Sequence, residues 1–345
     1  MPVKAFISIK NLLFNAKAIK DALPKSVKFC AVVKADAYGH GAEKVASALY
    51  PYADCFAVAT PKEGVALRVS GIDKEILVLT KTFAEDAGIA ARYGLTLTVS
   101  DLNDLKIYSR AAKKAKTCVR VHIKYDTGMN RQGLSGVKEL SDALLYIKTH
   151  KSIELCGLYS HFALPEDDIS RNSAISKFLV AKKIVKGYNK NAICHISASG
   201  GFLKGEFFDM VRVGILLYGY KPFPADGICV RKVMKVYAPV VKVRRLKKGE
   251  PMLYGEKRSE IARTVFLVRY GYADGLNRKE IAGQFNNRCM DVTAVTERKA
   301  VRRIDGAEYV AVMDDAEKLA RAYKTISYEI LVKCALRAEK IYVYR

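Results

Sequence analysis

Residues 29–49 read Phe-Cys-Ala-Val-Val-Lys-Ala-Asp-Ala-Tyr-Gly-His-Gly-Ala-Glu-Lys-Val-Ala-Ser-Ala-Leu. The apolar run 29–33 predicts a buried strand, and the apolar spacing of 42–49 predicts a helix. Lys34 lies at the end of the strand, and Tyr38 and two glycines of a tight turn follow it. Apolar neighbours disfavour the charged form of a lysine, and a neutral amine can attack an aldehyde. The stretch therefore predicts a strand–turn–helix unit with a reactive amine at the end of its strand.

The same alternation of strand and helix continues through the first two thirds of the chain. Helical patterns lie at 102–115, 137–148 and 175–188, and Thr60-Pro-Lys-Glu63 is typical of a capped helix start. Strand–helix alternation favours a parallel sheet, and eight units favour a closed (β/α)8 TIM-type barrel over a doubly wound open sheet. The eight predicted strands are 29–33, 56–59, 76–79, 95–99, 118–125, 153–159, 192–196 and 210–215.

The pattern changes after about Tyr220, where Pro222, Pro224 and Gly227 follow in short order. Beyond this point the sequence predicts a mostly β domain. We therefore expect an α/β barrel domain over residues 1–222 and a β-rich domain over 223–345. Its predicted strands are 233–243, 264–268, 292–295, 309–312 and 326–332.

Composition narrows the function classes. No apolar run approaches the ~18 residues of a membrane span, and the N-terminus lacks the apolar core of a signal peptide, so we expect a cytoplasmic protein without a membrane partner. The eight cysteines form no C-x-x-C pair, which argues against structural zinc, any other metal site and a disulfide framework. The formal net charge of +24 makes nucleic-acid binding a candidate function. However, the basic residues are scattered in small clusters, so we expect no nucleic-acid partner.

Reactive and polar residues recur where the predicted barrel strands end. Because the strand carboxyl ends of such a barrel form one face, these side chains should converge there. Barrels often bind phosphate between the seventh and eighth strands, where Ser199, Gly214 and Ile215 offer a hydroxyl and backbone N–H groups. The residues at or just beyond the other strand ends are Lys34, Lys124, Arg131, Tyr159, His161 and Arg212.

Several short motifs resemble one family when taken in order. They are the lysine segment, Asp126-Thr-Gly-Met-Asn-Arg131, Leu217-Tyr-Gly219, Leu253-Tyr-Gly255 and Gly271-Tyr-Ala-Asp-Gly275. Together they cover nearly the whole chain and resemble the bacterial alanine racemases. Those are two-domain enzymes that use pyridoxal 5'-phosphate (PLP) and work as head-to-tail homodimers. The resemblance also implies that the opening strand 3–9 pairs with the second domain.

The resemblance implies a role for each matching residue. Lys34 would carry the cofactor and act as the base on one face of the substrate, and Tyr254 of the partner subunit would act on the other face. Arg131 and the Met290 backbone would bind the substrate carboxylate, and Lys124, often carbamylated in this family, would support Arg131. Tyr159 and Tyr272 would support the site. The implied PLP contacts are Lys34, Tyr38, His161, Ser199, Arg212, Gly214, Ile215 and Tyr328.

The implied reaction is the interconversion of L-alanine and D-alanine by two bases, which supplies D-alanine for peptidoglycan. Three alternatives stay open: a racemase that acts on serine or lysine, a PLP-dependent decarboxylase of the same architecture, and a non-catalytic PLP carrier. One departure from the family pattern is Ala198, where many members carry Asn. It affects one expected hydrogen bond near the phosphate.

Overall fold

The structure is a computed structural model that describes residues 1–254, 258–275, 277–278, 286–296 and 301–344. The chain opens with β1 (Lys4–Ser8) and α1 (Ile9–Ala22). It divides into two units. The barrel unit comprises Leu12–Ala37 and Ala42–Arg231, and the β unit comprises Met1–Asn11, Tyr38–Gly41 and Lys232–Arg345. The predicted division at residue 222 stays a prediction.

Eight parallel strands form the centre of the barrel unit. Their order in the sheet is β8-β7-β6-β5-β4-β3-β2-β9. Backbone hydrogen bonds from Asp209 to Cys194 and from Arg212 to Ser197, both 3.0 Å, join the two ends of this order. The predicted parallel barrel is therefore confirmed. The strands are β2 (Lys28–Val32), β3 (Cys55–Val58), β4 (Ile76–Lys81), β5 (Thr96–Val99), β6 (Val119–Lys124), β7 (Ile153–Tyr159), β8 (Ile193–His195) and β9 (Met210–Val213).

Helices connect these strands and cover them. Strands such as β3 and β5 are buried along their whole length, as expected when helices cover a parallel sheet. The predicted helix start at Thr60 is confirmed, since Thr60 and Glu63 form a reciprocal capping box. The helices are α2 (Lys34–Gly39), α3 (Ala42–Leu49), α4 (Pro61–Val69), α5 (Ala84–Arg92), α6 (Leu102–Ala115), α7 (Gly136–Thr149), α8 (Asp168–Tyr188) and α9 (Ser199–Leu203).

The β unit is built on one long strand, β10 (Met234–Leu246). Its register shifts between Val240 and Lys242, and along its length it pairs antiparallel with β1, β11 and β15. β1 also pairs in parallel with β16. The other strands are β11 (Arg263–Val268), β12 (Asn286–Arg288), β13 (Thr293–Val295), β14 (Val301–Ile304), β15 (Ala307–Met313) and β16 (Glu339–Val343).

Among its described residues the β unit also contains two helices, α10 (Ala316–Tyr323) and α11 (Ser327–Cys334). The predicted strand at 326–332 is wrong, because this segment belongs to α11. Its run of Ile, Leu and Val is typical of a strand. However, the buried residues of α11 are Ile330, Leu331 and Cys334, a spacing that places them on one face of a helix.

Within the described ranges, no helix combines the length and the apolar character needed to cross a membrane. In the same ranges, no group of three or more His, Cys, Asp or Glu side chains is placed to hold a metal ion. All eight cysteines are free thiols.

Candidate active site

A left-handed turn follows β2 and begins at Lys34. Residues 35–38 have φ between 52° and 54°, and Gly39 continues at 81°. Left-handed backbone costs about 1–2 kcal/mol for each non-glycine residue. A hydrogen bond of 2.9 Å from the Ala37 N–H to the Val33 carbonyl ties the turn to the end of the strand. A strained backbone at the predicted reactive lysine is typical of a functional site.

Four basic side chains at the strand ends of the barrel unit influence one another electrostatically: Lys34, Lys124, Arg131 and Arg212. Burial and the charges of Arg131 and Arg212 lower the pKa of Lys34, while the Glu63 carboxylate opposes them. Burial, Arg131, Arg212 and Lys34 lower the pKa of Lys124 to about 8. Each of these groups makes its neighbours harder to protonate. The cluster is therefore suited to an anionic ligand.

Arg212 is held rigidly on β9. Its guanidinium donates to the carbonyls of Ser160 at 2.7 Å and Ile196 at 3.0 Å, and it contacts Nδ1 of His161 at 3.4 Å. It also donates to Nδ1 of His195 in a short hydrogen bond. Burial lowers the pKa of Arg212 to about 10, so the side chain remains a cation near neutral pH.

A row of polar groups leads from Arg212 into the barrel. Because His195 Nδ1 accepts from Arg212, its Nε2 carries the proton and donates to His122 Nδ1 at 2.9 Å. His122 Nε2 then faces the Glu75 carboxylate at 3.7 Å. Burial lowers the pKa of His122 to about 4 and that of His195 well below its usual range, so both imidazoles are neutral. At Gly157 a Cβ would lie 2.6 Å from the His122 ring, so glycine makes room for it.

Sequence reasoning did not identify these two histidines as site residues, because the residue types alone give no sign that they support Arg212. The available signal was position: His195 lies in the seventh barrel strand counted from β2, and Arg212 lies in the eighth. Neighbouring parallel strands bring such residues together.

Tyr159 ends β7 and is fully buried. Its hydroxyl hydrogen-bonds with Thr98 at 2.8 Å and donates to the Leu79 carbonyl at 3.0 Å. The Arg212 guanidinium lies 5.1 Å and the Lys124 amine 5.6 Å from the centre of the ring, within the range of cation–π attraction. Burial raises the pKa of Tyr159 to about 12. The ring is thus a neutral support for two of the cations.

Ser199, Gly214 and Ile215 lie together beyond the last two barrel strands. The Gly214 N–H donates to the Ser199 hydroxyl at 3.2 Å, and both residues are buried. Ile215 begins a short 3-10 helix with Gly214 at its N-cap. Ala198 precedes Ser199 as the N-cap of α9 and makes no side-chain cap hydrogen bond. A hydroxyl and backbone N–H groups at two helix starts are suited to a phosphate.

The β unit carries the remaining predicted site residues. Tyr38 and Tyr328 lie side by side, with ring centroids 5.9 Å apart. Burial raises the pKa of both, that of Tyr328 to about 12. In contrast, Tyr254, Met290 and Tyr272 are 75%, 54% and 39% exposed in the single chain.

Comparison with known proteins identifies the family. The profile of the alanine racemase N-terminal domain matches residues 7–222, and that of the alanine racemase C-terminal domain matches residues 233–342. The chain belongs to the alanine racemase family. It is accordingly an enzyme of the isomerase class, and the expectation drawn from the sequence motifs is confirmed.

Individual alanine racemases resemble the chain along most of its length. An alanine racemase of Streptococcus pyogenes is 30% identical over 372 aligned positions, which cover 99% of this chain and 98% of the relative. One from Treponema denticola is 35% identical over 291 positions, covering 80% and 76%. The solved alanine racemase of Clostridium difficile 630 superposes with a TM-score of 0.92 at 30% identity, covering 100% of this chain and 96% of that one.

Proposed function

We propose that this alanine racemase family member interconverts L-alanine and D-alanine with PLP as its cofactor. Lys34 moves a proton on one face of the substrate, and Tyr254 of the partner subunit moves one on the other. The observation that carries the proposal is the group of cationic side chains around the buried Lys34, which together with burial lowers the pKa of its amine. A solved relative of this family was crystallised with cycloserine, and another with L-Ala-P.

The residues of the chain fit an anionic cofactor. Ser199 and the N–H groups of Gly214 and Ile215 would bind its phosphate, together with the hydroxyls of Tyr38 and Tyr328. Arg212 would contact the nitrogen of the cofactor ring, and His161 would lie beside Arg212. When bound, PLP supplies the electron sink that acidifies the substrate Cα–H bond.

The side chains supply the rest of the chemistry. Arg131 and the Met290 N–H bind the alanine carboxylate, which leaves the Cα–H bond between two acid–base groups. The Lys34 amine accepts or returns a proton at Nζ, and the Tyr254 hydroxyl does so from the opposite face. Burial and the neighbouring positive charges lower the pKa of His161 well below its usual range, so its imidazole is neutral. This imidazole would hydrogen-bond with Tyr254 of the partner subunit.

A second copy of the chain is part of this proposal. Tyr254 is 75% exposed in the single chain, as is suitable for a residue that completes a site on another molecule. The enzyme would then work as a homodimer in the cytoplasm, where it supplies D-alanine for peptidoglycan.

The direct test is a panel of L-amino acids incubated with the purified enzyme and PLP and analysed by chiral chromatography. We expect D-alanine to form faster than any other D-amino acid. Faster production of D-serine or D-lysine would show that serine or lysine, and not alanine, is the preferred substrate. Release of an amine with loss of carbon dioxide would instead make the enzyme a decarboxylase.

Arg212→Glu should increase side reactions relative to racemisation. An arginine does not readily give a proton to the ring nitrogen, whereas a carboxylic acid can, and a protonated ring would over-stabilise the carbanion. We expect the ratio of pyruvate to D-alanine formed from L-alanine to rise severalfold, with one amino group transferred to the cofactor for each pyruvate released. Arg212→Lys keeps a cation at this position and serves as the control. An unchanged ratio in a folded, PLP-loaded Arg212→Glu variant would contradict this role.

Lys124 should carry a carbamate that supports Arg131. Its pKa of about 8 leaves a useful fraction of neutral amine near neutral pH, and that fraction grows as the pH rises. The neutral amine attacks carbon dioxide and releases a proton. The Asp126 carboxylate opposes this lowering of the Lys124 pKa. It accepts hydrogen bonds from the N–H groups of Gly128 at 2.7 Å and Met129 at 2.9 Å.

Carbon-13 NMR with labelled bicarbonate detects such a carbamate. We expect one carbamate signal that disappears in acid and is absent from Lys124→Arg. The absence of a signal from the wild-type enzyme at mildly alkaline pH would reject the carbamate. Lys124 would then support Arg131 as an amine, whose Nζ donates to Oε1 of the Gln132 side chain at 3.4 Å.

A further inference from the structure

The Glu63 side chain links the ends of two barrel strands. Its Oε1 accepts from the Ala35 N–H at 2.8 Å, and its Oε2 accepts from the N–H groups of Ala59 at 2.7 Å and Thr60 at 3.2 Å. Ala35 is the residue after Lys34, and Ala59 follows β3. A helix-capping box needs only the contact with Thr60. The bond to Ala35 is therefore an additional contact that the cap does not explain.

The contact falls at the first residue of the left-handed turn. Residues 35–38 all have positive φ, and the Ala35 N–H lies too early in the turn to find a partner inside it. Glu63 supplies the acceptor. A carboxylate that binds this N–H fixes the point where the strained backbone leaves Lys34, so it restricts the direction in which the lysine side chain extends.

The same carboxylate acts on the charge of Lys34. The charged groups that act on Lys34 are the Arg131 and Arg212 guanidiniums and the Glu63 carboxylate. Lys124, as an amine or as its proposed carbamate, and the neutral His161 belong to the same cluster. The two arginines favour the neutral amine of Lys34, and Glu63 favours its ammonium form. The charge of Glu63 thus limits how far the cluster lowers the lysine pKa.

We propose that Glu63 is a positioning residue for Lys34. Glu63 orients the lysine through its hydrogen bond with Ala35, and its negative charge tunes the proton affinity of the lysine. The proposal rests on the proposed function for the use of the lysine, but its two physical effects are measurable without catalysis. Both effects could therefore be tested even if the enzyme did not racemise alanine.

The test is competitive labelling of Lys34 in the full-length chain freed of PLP. Brief acetylation over a range of pH, read by mass spectrometry of the Lys34 peptide, gives the pH at which the amine becomes half reactive. In Glu63→Gln we expect this midpoint to move to lower pH, because the loss of the negative charge disfavours the ammonium form. The pH titration of the visible absorbance of the PLP-loaded variant should move in the same direction.

Two controls separate charge from helix capping. Thr60→Ala removes the other half of the capping box, in which the Thr60 hydroxyl accepts from the Glu63 N–H, and keeps the carboxylate. It should lower the melting temperature and leave the Lys34 midpoint in place. Glu139→Gln makes the same chemical change at the start of α7, where Glu139 accepts from the Ser135 N–H at 2.6 Å. It should also leave the midpoint unchanged.

The result that would overturn the proposal is a folded Glu63→Gln variant whose Lys34 midpoint equals that of the wild type. If Glu63→Gln does not fold, Glu63→Asp decides the matter. Its carboxylate ends one methylene further from Ala35, so the midpoint should fall by a smaller amount, and an unchanged midpoint would again reject the role.

Discussion

Lys34→Ala should lose at least roughly 10³-fold in racemisation rate, since it removes both an acid–base group and the attachment point of the cofactor. The structure gives the reason that no neighbour replaces it. Lys124, the other buried lysine of the cluster, has its own contact with Gln132 and lies near the ring of Tyr159. Chiral chromatography measures the rate. Borohydride reduction followed by peptide mass spectrometry locates the covalently bound cofactor.

Lys28→Ala is the matched control, because Lys28 is the exposed first residue of β2 and Lys34 lies two residues beyond the end of the same strand. It should keep wild-type turnover and the covalent cofactor at Lys34. A Lys34→Ala enzyme that still racemises alanine within tenfold of the wild type would exclude Lys34 as the attachment point.

Tyr254→Phe should reduce racemisation by about 10²–10⁴-fold while PLP binding stays at the wild-type level. The substitution deletes one hydroxyl from a side chain that is largely exposed in the single chain, so the effect on folding should be small. A selective loss of turnover would therefore identify the hydroxyl as a group that moves a proton. Chiral chromatography measures turnover, and the visible absorbance of the bound cofactor measures loading.

Tyr344→Phe provides the control, since Tyr344 is also strongly exposed in the β unit and no site role is proposed for it. Its turnover should equal that of the wild type. Wild-type turnover in Tyr254→Phe itself would remove this tyrosine from the mechanism. Equal losses in both variants would point to a general disturbance of the β unit.

The barrel could be predicted from the sequence because its strands follow a simple rule. Each is a short apolar run between helical patterns, and most predicted bounds differ from the observed ones by one or two residues, as at 29–33 against Lys28–Val32. The position of the site could be predicted from the sequence by the same rule, since polar residues at parallel strand ends meet on one face. The roles assigned to these residues stay predictions.

Other features could not be predicted because they depend on contacts between residues that are distant in sequence. His122 and His195 support Arg212 only because three strands meet inside the barrel. Glu63 could be interpreted as a helix cap, but its bond to Ala35 joins two separate strand ends. α11 was predicted as a strand because its Ile, Leu and Val have strand-like preferences, whereas packing of one helical face decides the structure.

The most direct single measurement is α-proton exchange of each alanine enantiomer in heavy water, followed by proton NMR with wild-type enzyme and with Tyr254→Phe. With the wild type, both enantiomers should lose their α-proton signal and yield a deuterated mixture of the two. With Tyr254→Phe, one enantiomer should still exchange, through Lys34 and with its configuration retained, while the other should not. Equal exchange of both enantiomers in the variant, or no exchange of either with the wild type, would contradict racemisation by two bases on opposite faces.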